Sequence, residues 1–341
     1  MILPPSPIVP TIDLDAPGAS HGFLRLPYSR DDSAWGSVMI PIAVLRGGDG
    51  PTALLTGGNH GDEYEGPLAL FDLARSLDPA ALSGTVIIVP ALNLPAFRAG
   101  TRTSPIDRGN LNRSFPGSPT GSVTAKIADY VTRHLLPRAD IVLDFHSGGR
   151  TLDFLPFAAA HVLPDKAQEA RARAAVEAFA APYSMQMLEI DAVGMLDTTA
   201  ETLGKTFVTT ELGGGGTARA ETAAIAKRGA RNLLAHAGIL KADPEPAPTR
   251  WLDMPSGDCF TFAEDAGLLE PLVDLGASVT AGQPLARIHP ATRTGLAPVE
   301  LTARLDGILV ARHFPGLVQP GDCAAVVAVP GDDASDVVVP L

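Results

Sequence analysis

The sequence predicts an α/β fold, with helices covering both faces of one sheet, followed by a smaller all-β domain. Short unbroken apolar runs, such as TVIIVPAL at 85–92 and IVLDF at 141–145, mark strands covered on both faces. Segments with apolar residues at helical spacing alternate with them. After KADPEPAPTR at 241–250, rich in proline and charge, the helical period stops. Short β-like runs between glycines take over.

The elements follow in order. SVMIPIAVLR at 37–46 reads as a strand ended by Gly47 and Gly48, and TALLT at 52–56 as a buried strand. A helix is expected over 64–77, carrying Leu68, Leu70, Phe71 and Leu77. Another fits 121–136, where Val123, Ile127, Val131 and Leu135 recur every fourth residue. An Ala-rich helix fits 165–180, TFVTTEL at 206–212 is strand-like, and 219–237 reads as a helix closed by Gly238. Two expected domains result, 1–242 and 251–341. Within the second, 267–276 resembles 307–316, and each copy is followed by a glycine turn at 281–283 and 320–322. That repeat suggests a compact, barrel-like β domain.

Composition narrows the function. The 341 residues include 38 acidic and 26 basic side chains, a formal charge of −12, and 45% are apolar. Such a chain has material for a core, and no Lys/Arg cluster offers nucleic acid a basic surface. No apolar run approaches the ~20 residues of a membrane span. The N-terminus lacks the basic region of a signal peptide. Cys259 and Cys323 lie far apart, which implies neither a disulfide framework nor a cysteine zinc site. A cytoplasmic protein is expected.

Chemistry concentrates at predicted strand ends. GGNHGDEYEG places His60 and Glu63 three apart, after one buried strand and before a helix. His146 ends a second buried strand in LDFHSGG, and Glu211 ends a third, before four glycines. Ligands of open α/β sheets bind at such carboxyl ends. Two imidazoles and a carboxylate are suitable zinc ligands that leave a position open for water. A long turn-rich loop, GTRTSPIDRGNLNRSFPG at 100–117, adds Arg102, Arg108 and Arg113. A guanidinium grips a carboxylate in a bidentate pair or stabilises an oxyanion.

The motifs GGNHGDE, NLNRSFPG, DFHSGG and TELGG, in this order, resemble the succinylglutamate desuccinylase/aspartoacylase family of zinc-dependent amidohydrolases. The resemblance spans roughly residues 20–330. It implies a zinc carboxypeptidase-like mixed sheet covered by helices. It also implies one Zn2+ per subunit on His60, Glu63 and His146, with Glu211 as general base and acid. Asn112 and Arg113 would bind the substrate carboxylate. Arg102 is the first candidate to polarise the scissile carbonyl, with Arg108 the alternative. The substrate would be a small N-acyl amino acid, and homo-oligomeric assembly stays open.

Within the family, HGFLRLPYSRDDSAWGSVMIPIAV is most similar to N-acetyl-2,4-diaminobutyrate deacetylases of ectoine catabolism. A free side-chain ammonium in such a substrate needs an acidic or carbonyl-lined patch. Asp191, Asp197 and Glu201 lie in a lid-like stretch that suits it. The rival readings are a succinylglutamate desuccinylase or aspartoacylase, a metallocarboxypeptidase, and a non-catalytic binding protein. The C-terminal segment is similar to biotinyl/lipoyl-type barrels, yet the stretch 288–307 linking its halves holds no lysine for a prosthetic group. A packing domain that shapes the entrance is expected instead.

Overall fold

A computed structural model describes residues 4–331 of the chain. Residues 1–3 of the first expected domain and 332–341 of the second lie outside them. One large mixed sheet forms the centre. Its middle runs Ser37–Arg46, Thr85–Val89, Thr52–Gly57, Ile141–His146, Thr206–Glu211, Phe157–His161 and Tyr183–Met187. Thr52–Gly57 and Thr206–Glu211 flank Ile141–His146, and both pair with it in parallel. The three strands therefore end at the same edge.

Period-two alternation explains the unbroken apolar runs. Leu55, Ile88 and Leu143 pack on one face, with the helices Glu65–Ser76, Lys166–Phe179 and Ala220–His236. Their neighbours Leu54, Ile87 and Val142 pack on the other, against the helix Val123–Tyr130. Beyond its first residue each such strand is buried on both faces, so no polar alternation survives. Burying one Leu or Ile contributes about 1.5–3 kcal/mol.

Two elements depart from expectation. The apolar run at 85–92 is strand only as far as Val89, and 90–92 turn toward the helix Leu94–Ala99. The helix expected over 121–136 is α-helical at Val123–Tyr130, then widens into a π turn at Val131–Leu135. Pro137 has no N–H to continue the ladder, and the segment closes as a short 3-10 turn, Leu136–Arg138.

Beyond the proline-rich segment, Arg250–Asp253 pairs in parallel with Tyr183–Met187, and Cys323–Pro330 and Gly307–His313 extend the same sheet. Val299–Thr302, Pro284–His289, Gly267–Pro271 and Leu317–Val318 form a separate antiparallel sheet. The two copies of the repeat thus begin strands in different sheets. Gly267 and Gly307 hold equivalent places. A Cβ on either would lie 2.3 Å from a facing carbonyl oxygen, that of His289 or of Ala328, so only glycine fits. Among the described residues, no helix is long and apolar enough to cross a membrane.

Candidate functional site

His60 lies in the loop that follows Thr52–Gly57, and His146 is the last residue of Ile141–His146. Glu211 ends Thr206–Glu211 and is the register partner of His146. The loop holding His60 and Glu63 runs directly into the helix Glu65–Ser76. Gly66 lets that helix lie on the strand below it, because a Cβ there would stand 2.1 Å from the Cβ of Phe145. This close approach sets Glu63 beside His146.

Three donors converge. His60 Nδ1 is 2.8 Å from Glu63 Oε1, and His146 Nδ1 is 2.9 Å from Glu63 Oε2. All three side chains are buried, and the imidazole centroids are 5.0 Å apart. The far nitrogens are committed elsewhere. His60 Nε2 donates to Asn110 Oδ1 at 3.2 Å, and His146 Nε2 donates to Asp144 Oδ2 at 2.9 Å. Asp144 is itself fixed by Thr56 Oγ1 at 2.6 Å and by Asn59 Nδ2 at 2.9 Å. With Nε2 protonated, each neutral imidazole turns a lone pair toward an acceptor carboxylate. Such facing lone pairs are bridged by a proton or by a metal ion, and the outer partners are those that orient metal-binding histidines. One ligand atom from each of the three residues lies within 4.8 Å of the others, so the group can hold a metal ion.

Without a metal ion, the same side chains offset one another's charge. Burial works against charge on Glu63, but His60 and His146 hold its carboxyl below the usual range. Burial likewise opposes an imidazolium at His146, yet Asp144 and Glu63 raise it well above an ordinary histidine. His60 is lowered by burial and by the Arg102 charge, despite Glu63. Glu211 is pushed well above the usual carboxylate range, first by burial and then by the Glu63 charge. Its Oε2 is buried with no hydrogen-bond partner among the described residues.

The 100–117 loop is ordered by Asp107, which accepts from Thr124 N at 2.7 Å and Gly109 N at 3.1 Å. It brings Arg102 Nη1 to 3.6 Å from Glu63 Oε1, whereas Arg108 occupies a turn with φ of 55°. Asn112 Oδ1 accepts from Leu196 N at 3.0 Å, and Arg113 Nη1 donates to the Asn112 carbonyl at 2.7 Å. Arg113 Nε stands 3.8 Å from Asp191.

Arg113 and Glu211 border one cavity of about 420 Å3. Its apolar wall includes Phe157 and, from the C-terminal segment, Met254, Phe260 and Val326. Of the acidic residues expected in the lid-like stretch, Asp191 lines this cavity, while Asp197 and Glu201 gather around His161 instead. Glu189 also lines it, and sequence reasoning passed that residue over. The signal available was its place in the same non-periodic stretch as Asp191.

A family model described as the succinylglutamate desuccinylase/aspartoacylase catalytic domain matches residues 49–237. The N-alpha-acetyl-L-2,4-diaminobutyric acid deacetylase of Halomonas elongata is 56% identical over 326 residues, which are 95% of each chain. The product-bound ectoine utilization protein EutE (DoeB) of Ruegeria pomeroyi is 62% identical, with a TM-score of 0.94 over 96% of this chain and 99% of that one. A succinylglutamate desuccinylase structure from Silicibacter sp. TM1040 is 60% identical, also at 0.94, over 96% and 100%.

Proposed function

The chain belongs to the succinylglutamate desuccinylase/aspartoacylase family, and from that premise we propose that it is a zinc-dependent amide hydrolase removing acetyl from N-acetyl-L-2,4-diaminobutyrate in ectoine degradation. The observation that carries the chemistry is the convergence of His60, Glu63 and His146 beside Glu211. The substrate is carried by the likeness to the Halomonas deacetylase along nearly the whole chain.

His60, Glu63 and His146 would hold one zinc ion. When bound, zinc acidifies water toward a pKa of ~7 and polarises a carbonyl oxygen. Glu211 accepts a proton as water oxygen bonds to the amide carbon. The Arg102 guanidinium faces the oxyanion that develops there. The C–N bond then breaks, and Glu211 returns the proton to the departing nitrogen, giving acetate and a free amine. Burial and the Glu63 charge raise the affinity of Glu211 for a proton, which suits the group that must first take one from water. Asn112 and Arg113 fix the substrate α-carboxylate, so orientation supplies part of the rate.

The test is a side-by-side kcat/KM measurement with acetyl-diaminobutyrate, succinylglutamate and acetylaspartate. Preference for the first is expected. A tenfold preference for either of these polycarboxylates, about 1.4 kcal/mol of transition-state binding, overturns the substrate assignment.

A further inference from the structure

Acetyl-diaminobutyrate carries an ammonium two methylenes from its α-carbon, and a desolvated cation needs an anionic partner. In the cavity that joins Arg113 to Glu211, the described carboxylates are Glu189, Asp191 and Glu211. Glu211 is assigned to proton transfer. Asp191 is 61% exposed and faces the Arg113 guanidinium at 3.8 Å. Glu189 remains, its side chain 17% exposed, and the His161 ring 3.6 Å from it is already paired with Glu201 at 2.9 Å.

Glu189 is also held in place. Its Oε1 stands 3.6 Å from His161 Nε2, and His161 Nδ1 lies 2.9 Å from Glu201 Oε1. The segment carrying Glu189 is tied to the arginine loop, since Leu196 N donates to Asn112 Oδ1 and Phe115 N donates to the Gly194 carbonyl, both at 3.0 Å. One docked unit therefore presents an anion from Glu189 and a cation from Arg113 to the same space. We propose that Glu189 is the specificity-determining residue that binds the side-chain ammonium, with His161 a positioning residue behind it. This inference rests on the deacetylase reading above.

The test compares acetyl-diaminobutyrate with acetylnorvaline, whose terminal methyl replaces the ammonium without changing chain length. Wild-type enzyme is expected to prefer the cationic substrate. Glu189→Gln should raise KM for acetyl-diaminobutyrate roughly 10–100-fold, the loss of one hydrogen bond to a charged group. Its kcat/KM for acetylnorvaline should stay within about threefold, since that substrate never used the carboxylate. Glu189→Asp, which keeps the charge, should restore part of the preference, and Asp191→Asn should leave it intact. An equal fall on both substrates, an unchanged preference in Glu189→Gln, or wild-type preference for acetylnorvaline overturns the role of Glu189 while the deacetylase reading stands. Wild-type enzyme inert toward acetyl-diaminobutyrate overturns both.

Discussion

Glu211 stands directly across a parallel strand pair from His146, each the last residue of its strand. That register places the carboxylate beside the convergent group of His60, Glu63 and His146. Glu211→Gln keeps the side chain's shape and the three donors. Bound zinc should therefore remain stoichiometric while kcat falls roughly 10²–10⁴-fold, the usual cost of a lost general base. Metal analysis and steady-state kinetics on the same preparation check both halves. Loss of zinc together with activity would instead make Glu211 a ligand.

Asp144 should act through His146 alone. It is buried, accepts from His146 Nε2, and is locked by Thr56 and Asn59. Asp144→Asn should weaken zinc binding about 10–100-fold, as loss of such an orienting carboxylate does elsewhere. His146→Ala should lose most of the metal outright. Chelator competition separates the two, and saturating zinc should restore most activity to Asp144→Asn only.

The same physics divides what could be read from the sequence from what could not. His60, Glu63, His146 and Glu211 sit at the ends of strands buried on both faces, and continuous apolar runs announce such strands. Phe157–His161 is FAAAH and Tyr183–Met187 is YSMQM, runs too rich in alanine and methionine to signal β structure locally. Their neighbours in the sheet impose the conformation. His161 and Glu189 belong to this illegible region, so their meeting depends wholly on long-range pairing. The crossing of Cys323–Pro330 onto Arg250–Asp253 is equally remote in sequence.

Arg113 offers a guanidinium to the cavity shared with Glu211. Arg113→Ala should raise KM steeply for substrates with a free α-carboxylate, because the bidentate pair is lost. The amidated analogue never used that pair, so its kcat/KM should change less than threefold, within about 0.7 kcal/mol. Equal losses on acid and amide would assign Arg113 to loop structure, through its bond to the Asn112 carbonyl.

His161 gives a pH-dependent stability with a definite sign. Burial disfavours its charge, but Glu189 and Glu201, with Asp197 near, raise it from 6.5 to about 10. An unfolded histidine titrates near 6.5, so the imidazolium's contribution is fully present below that pH. It is lost as pH rises from about 6.5 through about 10. His161→Gln leaves Glu201 without its cation, and breaking one side of a buried pair costs about 3 kcal/mol. Urea unfolding of the metal-loaded proteins at pH 6, 8 and 10 should therefore show the largest gap between wild type and variant at pH 6. The gap should shrink by more than half at pH 10, where wild-type His161 is itself losing its proton. A gap that holds constant across that range would mean that His161 stabilises the fold by packing and not by charge.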